Sequence, residues 1–316
     1  MRASILILAF AASGALAQGF PSRAIHIVIG FPPGGGIDTV ARLIGPKMSE
    51  SMGQPVIVDN RPGGAGVLGT DVVAKSPPDG HSVFFGTMGN LAVNPVFLPN
   101  LPFNMERDLA PVTQVVSTAF MLYVNPSVPA NTVKEFIDYA KRQSGKLNFC
   151  SSGNGGAPHL AAEFFNAMAA IQTVHVPYKG SAPCISDLIG GQVQFTFEAV
   201  TIGLPHVKSG KLRALGATAA KRLPMLPELP TLAETLPGFE VDNWYGMVVP
   251  AATPRAAIER LRNEVVQAMS IPEIRERLLA LGQVPVGSAP QEFAAFMKSE
   301  GAKWLKVIKQ ANIQPG

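Results

Sequence analysis

The feature that most constrains the fold is a regular alternation of short apolar runs with segments of helical periodicity. An apolar run bounded by turn residues is typical of a buried strand, and apolar residues spaced by three and four are typical of a helix. The first half of the chain predicts strand, helix, strand, helix and strand over residues 25–29, 40–48, 56–58, 67–74 and 82–85. Short apolar strands separated by helices predict an α/β protein with a parallel sheet and helices on its faces.

The second half of the chain repeats this scheme. Thr132 and Glu135 have the spacing of a capping box, which predicts that a helix begins at Val133. The predicted strands are 120–124, 146–149, 174–176, 194–197, 211–218 and 241–249, and the predicted helices are 133–142, 158–169, 183–189, 254–269, 272–281 and 290–310. Two βα assemblies therefore follow each other, and we expect the chain to cross between them near residues 112–124 and 240–249.

The first 17 residues have the pattern of an export signal. Arg2 provides a basic start, residues 5–12 are apolar, and Ala15-Leu16-Ala17 matches the small-x-small rule, which predicts cleavage after Ala17. The apolar run is shorter than the roughly 20 residues that span a bilayer, so a cleaved signal is favoured over a membrane anchor. We expect a mature protein that begins at Gln18, is soluble and lies outside the cytoplasm.

Composition limits the size and the partners of the mature chain. About 300 residues remain after cleavage, enough for two domains. The formal net charge is +4, or +3 without Arg2, and a mild positive balance suits a small anionic ligand. The sequence has no dense stripe of Lys and Arg and no basic helix with interleaved aromatics, so it does not predict nucleic-acid binding.

Two glycine-rich loops occupy equivalent places in the two halves. Loop 1, residues 31–38, contains Gly34 and Gly35, and loop 2, residues 151–159, is similarly rich in glycine; each lies between a predicted strand and a predicted helix. The N-terminus of a helix carries unpaired N–H groups and partial positive charge, so each loop is a candidate carboxylate site. Ligands of open α/β sheets bind at the carboxyl ends of the strands, where both loops fall. The alternative is a plain strand-to-helix turn, with Asp38 as a first-turn acid and His159 on the helix surface or partly buried.

Two further glycine clusters are candidate sites. Gly86-Thr87-Met88-Gly89-Asn90 follows a predicted strand, and the Thr87 hydroxyl is a candidate ligand donor, with simple turn chemistry as the alternative. Residues 64–69 match G-x-G-x-x-G, but no acidic residue stands at a strand end about 20 residues later, as a dinucleotide site requires. We interpret these glycines as the opening of a helix and predict no nicotinamide cofactor.

Catalytic and metal-binding signatures are missing from the sequence. It contains no G-x-S-x-G nucleophile elbow, no H-E-x-x-H pair, no C-x-x-C and no Walker A loop. Asp38 and Glu198 are two carboxylates that a glycosidase would need, but nothing local indicates acid–base tuning. Cys150 and Cys184 permit one disulfide in an exported chain, and two buried free thiols are the alternative. We therefore predict no enzymatic activity, no metal and no cofactor.

Several motifs together resemble one family. The motifs are Phe31-Pro32-Pro33-Gly34-Gly35-Gly36-x-Asp38, Asn60-Arg61-Pro62-Gly63, Pro78-Asp79-Gly80, Val176-Pro177-Tyr178-Lys179-Gly180 and Gly190-Gly191-Gln192-Val193. Over about residues 20 to 313 the chain is similar to the Bug family, extracytoplasmic solute-binding receptors of the tripartite tricarboxylate transporter type. The resemblance implies a Venus-flytrap fold, the type II-like fold of periplasmic binding proteins, with two α/β domains joined by two crossing strands. We expect domain 1 over residues 18–118 and 246–316, and domain 2 over residues 119–245.

The resemblance also implies a set of ligand-binding residues. By position these are Phe31, Gly35, Asp38, Thr87, Ser152, Gly153, Asn154 and His159, to which loop 1 adds Gly34. The family usually has Asp where this chain has Glu198, and the longer side chain is expected to shrink or re-aim the distal part of the pocket. Relatives commonly have small apolar residues where Cys150 and Cys184 stand, and the presence of both cysteines favours their pairing.

The expected function is capture of a small mono- or dicarboxylate in the periplasm. The family implies delivery of this ligand to a transporter with two membrane subunits, one large and one small, by a receptor that is usually a monomer. One alternative is a co-sensor that presents the ligand to a two-component kinase. The other is a periplasmic hydrolase or transferase that uses Asp38, His159 or Glu198.

Overall fold

A computed structural model describes residues 19–223, 225–310 and 313–314. The predicted signal peptide and its cleavage site after Ala17 lie outside the described residues. The strands are β1 (Ile25–Ile29), β2 (Val56–Asn60), β3 (Ser82–Thr87), β4 (Leu109–Val124), β5 (Asn148–Ser151), β6 (Val174–Pro177), β7 (Phe195–Ala199), β8 (Arg213–Ala217), β9 (Asp242–Pro250) and β10 (Val284–Pro285).

Helices connect these strands and cover the sheet. They are α1 (Gly36–Met52), α2 (Val67–Ala74), α3 (Asn94–Phe97), α4 (Met105–Asp108), α5 (Val133–Arg142), α6 (Ala157–Ala169), α7 (Ser181–Ile189), α8 (Val200–Lys208), α9 (Arg255–Ser270), α10 (Pro272–Ala280) and α11 (Pro290–Gln310). The predicted cap of α5 is confirmed, since the Glu135 N–H donates to Thr132 Oγ1 over 3.1 Å. The glycines at 64–66 form a single 3-10 turn that opens α2, as predicted.

Several helical segments differ from their sequence predictions. Helix α1 begins at Gly36 and not at residue 40, because the first-turn Asp38 satisfies a loop N–H and extends the helix toward the strand. Helix α8 was not predicted, and neither were the π-helical turn Gly89–Val93 and the short helix that follows it. These segments carry glycine, proline or asparagine within apolar runs, which weakens a helical pattern in the sequence.

The strands follow the order β2-β1-β3-β9-β4-β7-β5-β6, with β8 and β10 also paired to β4. The prediction of a parallel sheet is confirmed at the two outer parts, where β1 is parallel to β2 and β3, and β5 is parallel to β6 and β7. It is wrong at the centre, where β9 and β4 are antiparallel to each other and to their outer neighbours. The strands that cross between two halves must run in opposite directions, because the chain goes over once and returns once.

We call the part around β1–β3 and β10 the first lobe, and the part around β5–β8 the second lobe. Strand β4 serves both: residues 109–119 pair with β9, and Phe120 to Val124 pair with β7 and β8. Thr218 joins the two crossings, because its Oγ1 accepts from the Phe120 N–H over 2.9 Å and donates to the Val241 carbonyl over 2.6 Å. The predicted crossings near 112–124 and 240–249 are confirmed.

Glycine allows close packing at two central positions. An added Cβ at Gly203 would lie 2.1 Å from the buried Tyr123 ring, and one at Gly246 would lie 2.1 Å from the Phe293 ring. These glycines let large aromatic side chains pack directly on the backbone of a helix and of a crossing strand. The largest hydrophobic cluster runs through both lobes, from Phe84 to Phe197.

The two cysteines are joined in a disulfide that links β5 to α7, with a Cα–Cα distance of 5.5 Å. Both are fully buried beside Ile185 and Leu188. Since Cys184 lies in the first turn of α7, the disulfide fixes the start of this helix against the sheet. No helix within the described ranges is long and apolar enough to cross a membrane.

Candidate functional site

Loop 1 places the N-terminus of α1 at the carboxyl end of β1. Gly34 has a φ of 90°, which favours glycine, and the helix follows two residues later at Gly36. The loop is accessible: Gly34 is exposed and Gly35 is half-buried. The first N–H groups of an α-helix have no partner within the helix, so this corner offers donors and partial positive charge to an anion.

Asp38 braces loop 1 from within the helix. Its carboxylate accepts hydrogen bonds from the Gly34 N–H over 2.9 Å, from Arg42 Nε over 2.9 Å and from Asn60 Nδ2 over 3.1 Å. Burial acts to raise the pKa of Asp38, but the bonds from Arg42, Gly34 and Asn60 together hold it below its ordinary value. The carboxylate is thus occupied by its own loop, which supports a positioning role for this predicted ligand residue.

The Asp38→Asn variant is expected to lower the free energy of unfolding by about 1–2 kcal/mol at pH 7, because an amide cannot accept all three bonds. The depressed pKa means that the carboxylate stabilises the fold above pH 3.8 and that this contribution is lost as the pH falls below that value. Denaturant unfolding at several pH values measures both effects. Asp138→Asn, which breaks a surface pair with Lys134, is the control and should change stability by less than about 0.5 kcal/mol.

Loop 2 forms the equivalent corner between β5 and α6. Gly153 and Gly155 have φ values of 144° and 69°, and Pro158 lies in the first turn of the helix. The brace is His159, whose Nδ1 accepts from the Gly155 N–H over 3.1 Å. Both braces stand at the third residue of their helix and bind the N–H four residues earlier. The prediction that the two loops are equivalent strand-to-helix corners is confirmed.

A stack of rings supports the His159 brace. The His159 and His175 rings are 3.8 Å apart and nearly parallel, and the Phe149 ring lies 4.8 Å from His175 and 6.1 Å from His159. Burial and the neighbouring His159 lower the pKa of His175 to about 4. Its Nε2 lies 2.7 Å from Ser151 Oγ, at the start of loop 2. This stack holds the loop from behind, so His159 lies in the wall of the corner and not at its exposed edge.

The other predicted residues are distributed along the two corners. Phe31 packs partly buried against the core of the first lobe, and Asn154 is exposed at the tip of loop 2. Ser152 and Gly153 are half-buried beside it. The backbone N–H and hydroxyl of Thr87 both donate to Asn90 Oδ1 over 3.1 Å, so the Thr87 proton is used within its own turn.

Both corners lie where the lobes meet. An added Cβ at Gly155 would lie 2.9 Å from the Phe97 ring, and one at Gly89 would lie 3.9 Å from the Ala157 nitrogen, so loop 2 contacts the segment after β3. Beside loop 1, an added Cβ at Gly282 would lie 3.0 Å from Val200 of the second lobe. The two corners therefore line one seam between the lobes.

Glu198 lies buried at the end of β7, with 2% of its surface exposed. Burial raises the pKa of Glu198 to about 7, and the nearby Ser181 side chain and Ala199 N–H offset part of this rise. Tyr245 on β9 is also buried; its pKa is raised to about 12 by burial and, more weakly, by the charge of Glu198. The two groups belong to one polar region that extends from the second lobe to a crossing strand.

Sequence reasoning missed part of this region. Gly36 lies directly against Tyr245, since an added Cβ would be 2.7 Å from the Tyr245 hydroxyl and 3.8 Å from Gln283 Nε2. The Ser181 side chain, at the start of α7, approaches Glu198, and Thr201 lies in the first turn of α8, three residues after Glu198. The polar and aromatic residues around Tyr245 in an otherwise apolar strand were a usable signal, whereas Gln283 has no local pattern that distinguishes it.

Comparison with known proteins agrees with this architecture. Residues 40–313 match the family described as "Tripartite tricarboxylate transporter family receptor". The chain is 42% identical over 308 residues to the protein in the tcbD–tcbE intergenic region of Pseudomonas sp. strain P51, covering 96% of this chain and 91% of that one. It is 33% identical to BugT of Bordetella pertussis, covering 93% of this chain and 91% of BugT.

Solved structures show the same fold. Rpa4515 of R. palustris, determined with adipate, superposes with a TM-score of 0.89 at 34% identity, over 94% of this chain and 100% of that one. The predicted two-domain fold of periplasmic binding proteins is thereby confirmed. Consistent with its resemblance to the Bug proteins, the chain belongs to the family of tripartite tricarboxylate transporter receptors.

Proposed function

We propose that the protein is a periplasmic receptor that captures a small mono- or dicarboxylate between its lobes and delivers it to a tripartite tricarboxylate-type transporter. The observation that carries the proposal is the pair of equivalent helix N-termini, at Gly36 and Ala157, that line one seam between the lobes. Such corners hold a carboxylate through backbone N–H groups, without Lys or Arg. The adipate bound to the similar R. palustris protein is a ligand of this class.

The arrangement of the candidate acid and base supports a receptor over a hydrolase. The Asp38 carboxylate already accepts three hydrogen bonds, and the His159 Nδ1 accepts one from Gly155. An Nδ1 that accepts a hydrogen bond carries no proton, and it is not free to take one from a substrate. Both side chains act on their own loops, which fits the shaping of a binding surface.

We also propose that the lobes correspond to domains with boundaries at 118/119 and 245/246. The change of partner within β4, from β9 before Phe120 to β7 and β8 after it, supports the first boundary. Lobe closure by rotation about the two crossing strands would bury the ligand, as in hinge-bending proteins.

Thermal-shift screening of the purified protein against organic acids tests the receptor proposal. A ligand that binds only the native state stabilises it by an amount that grows with the logarithm of the ratio of ligand concentration to Kd, and so raises the midpoint of unfolding. We expect carboxylates to give a rise and uncharged amides of the same acids to give none. The absence of a shift with every carboxylate, together with turnover of an ester or a glycoside, would contradict the proposal.

The Gly36→Ala variant is expected to weaken carboxylate binding at least tenfold, because its Cβ would lie 2.7 Å from the Tyr245 hydroxyl and displace one wall of the corner. Gly45→Ala in the same helix is the matched control, since its Cβ would meet Val56 at an ordinary 3.7 Å. Isothermal titration of both variants with the best ligand from the screen measures the difference. Equal affinities in the two variants would place the ligand away from this corner.

A further inference from the structure

Four buried polar atoms at the seam make no well-formed hydrogen bond among the described residues, although the Ser181 side chain lies close to Glu198 and the Tyr245 hydroxyl lies close to Gln283. They are Glu198 Oε1, Thr201 Oγ1, Gln283 Nε2 and Gln283 Oε1. Buried polar side-chain atoms in proteins nearly always have a partner, so a cluster of unpartnered ones indicates that another molecule completes it. We call Glu198, Thr201 and Gln283 the distal cluster.

The distal cluster lies deeper than the two loops and is built from both lobes. Glu198 and Thr201 flank Val200 at the junction of β7 and α8, and Val200 contacts Gly282, the neighbour of Gln283. Glu198 and Gln283 are 2% and 1% exposed, whereas Gly34 in loop 1 is open to solvent. Gly36, at the end of loop 1, lies beside Gln283, so the distal cluster adjoins the corner where we propose that the carboxylate binds.

The distal cluster provides two acceptors, Glu198 Oε1 and Gln283 Oε1, together with the Gln283 Nε2 donor and the Thr201 hydroxyl, which can donate or accept. Glu198 takes part in none of the ion pairs of the described residues. The polar groups close to it are Ser181, the Ala199 N–H, Tyr245 and Tyr123, whose hydroxyl donates to the Ala199 and Val200 carbonyls. No Lys or Arg contributes to its titration behaviour. The Glu198 carboxylate thus has an unused acceptor atom, and Thr201 and Gln283 can each accept as well as donate.

Resting on the receptor function proposed above, we propose that the ligand is a carboxylate whose opposite end carries a hydrogen-bond donor, a hydroxyl or an ammonium group, which Glu198 accepts. Thr201 and Gln283 take the remaining hydrogen bonds of that group. A ligand without the donor leaves these atoms buried and unpaired, which disfavours its binding.

A dicarboxylate meets a less favourable environment in the distal cluster. Its second carboxylate would face the Glu198 carboxyl group, and two such groups at close range must share a proton.

Titration with matched acids tests the proposal. At chain lengths of four, five and six carbons, the ω-hydroxy acid, the ω-amino acid, the unsubstituted acid and the dicarboxylate are compared by calorimetry at pH 7.5. For the wild-type protein, we expect a donor-bearing acid to bind about tenfold to hundredfold tighter than the unsubstituted acid and the dicarboxylate of the same length.

Two variants assign this preference to the distal cluster. Glu198→Gln should reduce the preference for the donor-bearing acid over the dicarboxylate at least tenfold. Thr201→Val removes one unpartnered hydroxyl, retains the side-chain shape and should weaken the donor-bearing acid alone. Glu264→Gln changes a comparably buried carboxylate on α9 and should leave the preference unaltered.

The outcomes separate this proposal from the receptor function. If the wild-type protein binds none of the acids, the receptor function fails and the distal assignment fails with it. If the protein binds acids but the dicarboxylate or the unsubstituted acid is preferred, only the distal assignment is wrong. Binding of the donor-bearing acid that weakens as the pH rises through 7 would show that Glu198 acts as a protonated donor, which also overturns the proposal.

Discussion

Ligand-free Glu198→Gln protein is expected to be more stable than the wild type by about 3 kcal/mol at pH 8 and equally stable at pH 4. The pKa of Glu198 is raised from 4.5 to about 7 by burial, so the folded state holds this proton more tightly than the unfolded state. Wild-type stability must then fall as the pH rises from 4.5 to 7 and stay lower above that range. The variant lacks the titrating group, so its free energy of unfolding does not fall over this pH range for this reason.

Denaturant unfolding between pH 4 and pH 8 measures this difference. The groups that face Glu198 include Tyr123 and Tyr245; burial raises the pKa of both, so neither titrates in this range. Glu264→Gln is the control, because Glu264 pairs with Arg260 Nε at 2.7 Å and its replacement should not stabilise the protein. A Glu198→Gln gain that is the same at both pH values would show that the effect is one of packing and not of charge.

Loss of the disulfide is expected to lower the free energy of unfolding by about 3–4 kcal/mol. The crosslink closes a separation of 34 residues, and in the chain-entropy description a loop of this length restricts the unfolded state by that amount. The Cys150→Ala, Cys184→Ala double variant and the reduced wild-type protein should both unfold at lower denaturant concentration. We also expect weaker ligand binding, because the link fixes the start of α7, where Ser181 approaches Glu198.

The reductant itself needs a control in this experiment. A reducing agent should have no effect on the double variant, which has no cysteine left. An unfolding midpoint of the wild type that is unchanged after full reduction, verified by thiol titration, would contradict the expected contribution of the disulfide.

The sequence predicted most of the fold because its signals are local. Periodicity identified the outer strands and the long helices, and the Thr132–Glu135 pair identified the start of α5. The antiparallel centre was not predicted, since pairing between β4 and β9 joins residues more than 100 positions apart. Helix α8 was missed because Gly203 and Pro205 interrupt its pattern, although Gly203 is there to admit the Tyr123 ring.

The candidate site divides in the same way. Loops 1 and 2 could be predicted, because a strand, a glycine loop and a helix follow one another directly in the chain. The distal cluster could not, since Gln283 reaches the seam from a segment that follows α10, about 80 residues after Glu198. The residue types of Asp38 and His159 were enough to predict that both belong to the site. Their sequence positions did not show that each side chain accepts a hydrogen bond from its own loop instead of facing a ligand.

The sharing of β4 has a consequence for how this molecule unfolds. One strand supplies hydrogen bonds to both lobes, and the largest hydrophobic cluster contains side chains of both. Neither lobe can lose its sheet without removing an edge from the other, so the lobes form a single cooperative unit and not two independent ones. A ligand that binds at the seam would therefore raise the unfolding temperature of the entire chain, including the helices farthest from the seam.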